Sequence, residues 1–245
     1  MTRPSVSLEH AVVRYDSYFS VSQASSVSIT NSQFVRGPGQ ACGCDYGQLS
    51  VSAEGPINVS GDTLSGLSHA LGNYYSYGLD VTQNATGAGA STTVSGNSVQ
   101  NMDSVAVMVD SQGPITVQNN SVSGGTGDAF RLHSGALSPA SISGNTSSGD
   151  RENALGVEGT LAASWAMPYA GLPVVVDGTL VVPEGITLSL AAGTVLKFEG
   201  GRLEVHGSLT SAGTAGSPVT LTGIRDSSVG GNTLGEETTP SAGEW

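Results

Sequence analysis

Apolar and polar residues alternate in short runs along most of the chain, and two kinds of run recur. The first is a turn motif, seen in Ile29-Thr30-Asn31-Ser32-Gln33-Phe34, Val59-Ser60-Gly61-Asp62-Thr63-Leu64, Val94-Ser95-Gly96-Asn97-Ser98-Val99, Val117-Gln118-Asn119-Asn120-Ser121-Val122 and Ile142-Ser143-Gly144-Asn145-Thr146-Ser147. Each copy opens on a β-branched apolar residue and passes through a small or polar pair to Asn, Asp or Ser. Its first residues lie 30, 35, 23 and 25 apart. The second run is an apolar pair at i, i+2: Leu49/Val51, Leu79/Val81, Val107/Val109, Phe130/Leu132 and Leu155/Val157, at intervals of 30, 28, 23 and 25. A two-residue period means a strand with one face buried. Each repeat therefore supplies at least two short strands joined by Gly/Ser/Asn turns, and residues 20–150 hold no amphipathic helical pattern.

A repeat of this length predicts a solenoid. The predicted fold class is all-β: a right-handed parallel β-helix, a single-chain solenoid whose coils stack at the strand spacing of about 4.8 Å. Like residues of successive coils then form ladders, and Asp62, Asn97, Asn120 and Asn145 form one at a turn, where short polar side chains suit a left-handed corner. This is a structural role. The coils of 23 and 25 residues between 93 and 158 are the most regular, and the longer intervals before them imply insertions near 37–48, 66–78 and 84–92.

The division expected is 1–158 for the Asn-turn coils, 159–173 for a junction and 174–245 for a shorter-rung β-helical section. At the junction, Gly159-Thr160-Leu161-Ala162-Ala163-Ser164-Trp165-Ala166-Met167-Pro168-Tyr169 breaks the pattern. Trp165, Met167 and Tyr169 read as packing between two registers, with a sugar-stacking platform as the sharper alternative.

Composition narrows the function. The chain has 245 residues, 11% of them charged and 35 of them Gly. Small residues suit a narrow core. A net charge of −12, with Lys197 as the one lysine and seven dispersed arginines, excludes a nucleic-acid partner, because phosphate recognition needs clustered cations. No run of about 18 apolar residues is present, so membrane insertion is not expected, and the opening residues show no charged-then-apolar leader pattern.

Residues 174–226 carry a family resemblance. Val175-Val176-Asp177-Gly178-Thr179-Leu180-Val181-Val182-Pro183-Glu184-Gly185, followed by Leu203-Glu204-Val205-His206-Gly207-Ser208-Leu209 and by Arg225-Asp226-Ser227-Ser228, resembles a module of large secreted bacterial right-handed β-helix repeat proteins of the pectate-lyase-like superfamily. In that pattern a Gly-Asp/Glu-Trp element leads into the next β-helical run, and here Gly243-Glu244-Trp245 ends the chain. The resemblance implies one period of a tandem array, extracellular or at the cell surface. It implies a structural role as fibre subunit, stalk or adhesin module, assembling head to tail through open ends that include Val6, Leu8 and Trp245. The partners expected are further copies or neighbouring modules of the same array. The alternative is a carbohydrate-active or carbohydrate-binding β-helix with a polysaccharide partner.

Candidate chemistry is sparse. Outward positions Asp80, Met108, Arg131 and Gly156, with Asp110, His133 and Glu158 just after, form a stripe at the place where pectin-active β-helix enzymes keep their chemistry, or else a solvated sheet face. A glycosidase needs carboxylates converging from adjacent coils. Asp80, Asp110, Asp128 and Glu158 are candidates whose places in the repeat differ, and Arg131 and Lys197 are the candidate bases for a lyase. No catalytic signature is present, and no catalytic residue is assigned. The loop 226–237, with Asp226, Asn232, Glu236 and Glu237, offers oxygen ligands of a kind that suits calcium, or a plain turn. Cys42 and Cys44 read as free thiols, a local disulfide or half of a metal site, and the last lacks its other ligands. His10, His69, His133 and His206 are too scattered to be a ligand set. Threonines such as Thr187, Thr220 and Thr222 do not share one face, which argues against ice binding.

Overall fold

The computed structural model describes residues 3–16, 19–36, 48–66, 77–85, 89–167, 172–234, 239–240 and 242–243. Cys42, Cys44, His69, Tyr169, Glu236, Glu237 and Trp245 lie outside them. The alternating segments form strands, and every strand pairing among the described residues is parallel. One row runs through Ser5–Glu9, Ser26–Thr30, Ile57–Ser60, Thr92–Ser95, the second half of Val107–Gln118 and Ile142–Ser143. A second runs through Val12–Asp16, Gln33–Arg36, Thr63–Ser65, Ser98–Gln100, Ser121–Ser123 and Thr146–Ser148. A third runs from Phe19–Ala24 through Leu49–Ala53, Leu79–Gln83, Val107–Gln118, Asp128–Leu137, Glu152–Leu161, Val174–Val182 and Val195–Phe198 to Thr220–Gly223. The first and third rows share Val107–Gln118, which bends at an irregularity between Ser111 and Pro114, so they join in one sheet. A short row of Trp165–Met167, Thr187–Leu190 and Ser208–Ser211 belongs to the later section. The one helical turn among the described residues is the 3-10 segment Pro139–Ser141. The chain is all-β with long parallel sheets, an arrangement compatible with a parallel solenoid.

The register explains the core. The apolar pairs of successive coils align, Leu49 with Leu79, Val107, Phe130, Leu155 and Val174, and Val51 with Val81, Val109, Leu132, Val157 and Val176. These columns are almost wholly buried. Val27, Ile57 and Ile115, and Phe34, Leu64, Val99 and Val122, make columns on the other two rows. Each buried Val or Leu contributes roughly 1.5–3 kcal/mol, and a one-residue slip of any strand would turn its column out to water. The strand Glu152–Leu161 runs through the 158 boundary and pairs directly with Val174–Val182, so the two sections share one continuous row. Trp165 and Met167 are buried over Leu188 and Leu190, which leaves neither as a platform for a sugar.

At the turn, side chains bridge coil to coil. Ser32 N donates to Asp62 Oδ1 at 2.6 Å, Asp62 N to Asn97 Oδ1 at 2.9 Å, Asn97 N to Asn120 Oδ1 at 3.0 Å and Asn120 N to Asn145 Oδ1 at 3.1 Å. The amides of Asn97, Asn120 and Asn145 also donate to the carbonyls of Val59, Val94 and Val117. The left-handed corner sits one residue earlier than the sequence pattern suggested. Asn31, Gly61, Gly96, Asn119 and Gly144 have φ between 52° and 70°, so the ladder residues themselves need no left-handed backbone.

Asp62 is the one carboxylate in an amide ladder, and it is 1% exposed. Its Oδ2 takes the place where the other members carry a donating NH₂, and it has no hydrogen-bond partner. Burial pushes its pKa up from 3.8 to about 6, against the pull of the Ser32 and Ser60 backbone donors. The folded state therefore binds this proton more tightly than the unfolded chain between those two values, and stability falls as pH rises through that window. Asp62→Asn is expected to remove the slope and to raise stability at pH 7 by roughly 2 kcal/mol. Urea unfolding of both proteins at pH 4, 5, 6 and 7 checks this; parallel pH profiles would refute it.

Candidate charged site

The outer face of the third row carries the charge. The register places Asp80 beside Met108, Arg131 and Gly156, and Thr82 beside Asp110, His133 and Glu158, so the stripe residues lie on aligned positions of successive coils. Arg131 organises the stripe. Gly156, paired with it on the next coil, has no side chain; a Cβ there would stand 2.8 Å from Asp177 Oδ2 and 3.4 Å from Arg131 Cγ. The long arginine uses that notch to lie across the coils. Its Nε donates to Asp128 Oδ2 at 2.8 Å and its Nη2 to Glu199 Oε2 at 2.7 Å, and Asp177 Oδ2 stands 3.8 Å from Nε. Arg151 donates to the other oxygen of Asp128.

A third carboxyl lies with these two. Asp128 opens its strand opposite Glu152, in register with it, and Glu199 follows directly on Val195–Phe198. One oxygen each from Asp128, Glu152 and Glu199 lie within 4.8 Å of one another. Glu152 is 2% exposed and its Oε2 has no hydrogen-bond partner. Burial foremost, then the charges of Asp128 and Glu199, push its pKa up to about 8 against the two arginines. Burial also raises Glu199, with Arg131 pulling the other way. Burial works against the charge on Arg131, and the surrounding carboxylates outweigh it and raise its pKa.

His133 continues the stripe. Its Nε2 lies 3.8 Å from Asp177 Oδ2 and 3.6 Å from Glu158 Oε2, ion-pair rather than hydrogen-bond separations. Asp177 is the main reason its pKa is raised, burial opposes, and Glu158 and Asp110 add to the rise. Asp80 lies apart from this group and accepts a hydrogen bond from Ser50 Oγ at 3.2 Å; burial raises its pKa, as does Asp110. Of the four candidate carboxylates, Asp128 pairs with Arg131 and Glu158 stands beside His133, whereas Asp80 and Asp110 neighbour each other on earlier coils. The pattern missed Glu152, Asp177 and Glu199. The 24-residue step from Asp128 to Glu152 was a usable signal, masked because the register shifts between Asp128 and Phe130.

Beside the cluster is a depression of about 410 Å³, lined by Tyr77, Asp103, Thr126, Asp128, Arg131 and Arg151 among others. Chemically the group holds charge in place. Asp128 is fixed by two guanidinium groups and Glu152 is enclosed, so neither is set up as a nucleophile.

Lys197 is elsewhere engaged. It is buried, and its Nζ donates to the carbonyls of Asp226 at 2.8 Å and Gly231 at 2.7 Å. Burial lowers its pKa, with Asp226 acting in the opposite sense. Ile224 and Leu234 pack with Ala154 and Val175, so residues 224–234 fold against the sheet around this amine. The Asp226 carboxylate accepts from Thr222 Oγ1 and from Ser228 Oγ and N, which hold its pKa below the usual range. Asn232 is exposed.

Comparison with protein-family models, with curated proteins and with solved structures finds no match to this chain.

Removing one partner from a half-buried ion network leaves the others uncompensated. Arg131→Met, which keeps the bulk of the side chain, is expected to destabilise the fold by about 3 kcal/mol at pH 7. The loss should shrink at pH 4, where more carboxylates carry protons; urea unfolding at the two pH values measures it, and an unchanged stability at pH 7 would mean the network is ornamental.

Proposed function

We propose that the chain is a right-handed β-helical module of a secreted or cell-surface protein, with a structural role as fibre subunit, stalk or adhesin module that associates end to end. Right-handedness is favoured because parallel strands joined by crossovers take that hand almost without exception. The observation that carries the reading is that, among the described residues, the first and last members of the core columns are only partly covered. Val6, Leu8 and Val13 lie over Val27, Ile29 and Phe34 and are only partly covered. At the other end, Val205 lies over buried Val182 and is 39% exposed, and Leu209 lies over buried Leu188 and is 43% exposed. Side chains in core positions on which no described residue stacks, beside strand edges that no described strand pairs, suit a head-to-tail contact. Neighbouring copies or modules are the partners this favours.

A second reading, a carbohydrate-binding β-helix, is favoured by the depression beside Arg131 and Arg151, where Tyr77 supplies an aromatic ring next to charged and hydroxyl groups. Retention in gels containing polysaccharide, lost on Tyr77→Ala, would support that reading, and unretarded migration would remove it.

For the leading proposal, negative-stain microscopy and sedimentation over a range of concentrations should give filaments with an axial repeat of one stack. Val205→Glu with Leu209→Glu should weaken association about thirtyfold, since two aliphatic side chains contribute about 2 kcal/mol on burial. Dispersed short rods at every concentration would refute end-to-end association.

A further inference from the structure

We propose that Asp128, Glu152 and Glu199 form a site for one hard divalent cation of the calcium class, which clamps the later, shorter-rung section onto the regular coils. Three carboxylate oxygens, two from paired strands and one from the residue that follows a third strand, converge within 4.8 Å of one another. A cluster of acids alone would be weak ground. The independent sign is Glu152: its side chain is enclosed among these groups, and Oε2 is fully buried with no hydrogen-bond donor. A buried carboxylate oxygen left unpartnered costs free energy, and a cation at the convergence point would satisfy it.

Charge supports the assignment. Asp128, Glu152, Glu199 and the nearby Asp177 are four carboxyl groups, and the guanidinium groups that reach them are those of Arg131 and Arg151. With all four ionised the carboxylates outnumber the two guanidinium groups by two, and His133 beside Asp177 offsets at most one of these, so the group stays short of positive charge that a divalent cation would supply. Asp177 also has a side chain only 2% exposed, with neither oxygen hydrogen-bonded. Lys197 does not supply the missing charge, since its amine is bound to the carbonyls of Asp226 and Gly231. The ligand set is oxygen alone, which selects calcium, magnesium or manganese over zinc or copper. Asp128 and Glu152 belong to the regular coils and Glu199 to the shorter-rung section, so a shared cation would join the two.

The test is calorimetric titration of the full chain with CaCl₂, alongside thermal unfolding in CaCl₂ and in EDTA. The expected result is one equivalent bound and a midpoint raised by roughly 5 °C when Ca²⁺ exceeds its Kd about a hundredfold. Glu152→Gln, which keeps the shape of the side chain, should abolish both effects. Glu199→Gln, at a position already part-exposed, should weaken binding at least tenfold, and Asp226→Asn, outside the cluster, should bind as the parent does. Absence of heat and of any midpoint shift with Ca²⁺, Mg²⁺ and Mn²⁺ would overturn the assignment. So would undiminished binding by both the Glu152 and Glu199 variants, or binding lost only in Asp226→Asn.

Discussion

Everything in this molecule depends on coils repeating in register. A parallel strand gains its hydrogen bonds only from the coil before and the coil after, and at the turns the same demand passes to side chains. Ser32, Asp62, Asn97 and Asn120 each have their backbone N–H met by the side-chain oxygen of the next ladder member. Short polar side chains are the ones that can stand in a buried corner, accept from a backbone N–H of the preceding coil and, as amides, donate to a backbone carbonyl of that same coil. The apolar columns inherit their alignment from this contact, because a ladder that holds position at the turn holds the strands on either side in phase.

The architecture was legible because periodicity is a property of the chain itself. Leu79, Val107 and Phe130 announce one column by spacing alone, and the structure aligns them. The left-handed corner was displaced by one residue because Gly61 and Gly96 were available just before Asp62 and Asn97, and glycine takes that conformation at least cost. The charged site was far less legible. Arg131 and Asp128 were visible as isolated charges, but nothing in spacing says that Gly156 leaves a notch for an arginine to cross the coils. Glu199 lies 68 residues beyond Arg131, in a section with a different rhythm, so only stacking brings the two together. Convergence of charges across coils depends on side-chain reach and on local bulges, neither of which a repeat pattern encodes.

The charged group also sits where the repeat changes. Where one rung length gives way to another, turn ladders cannot run on unchanged, and the pairing is carried by Glu152–Leu161 against Val174–Val182. Arg131 reaching from the regular coils to Glu199 adds a second tie across the same transition. The molecule thus uses uniform amide bonding where coils are alike and ion pairing where they differ, which matches the reach of each interaction: short and repetitive in one case, long and adaptable in the other.

The burial of Lys197 has a consequence for how the protein meets reactive surroundings. This is the chain's one lysine, and its amine is enclosed with two carbonyls for neighbours. The folded surface consequently offers no side-chain amine to aldehydes, reducing sugars or acyl donors, and cross-linking or glycation through lysine has nothing to grip until residues 224–234 come away from the sheet.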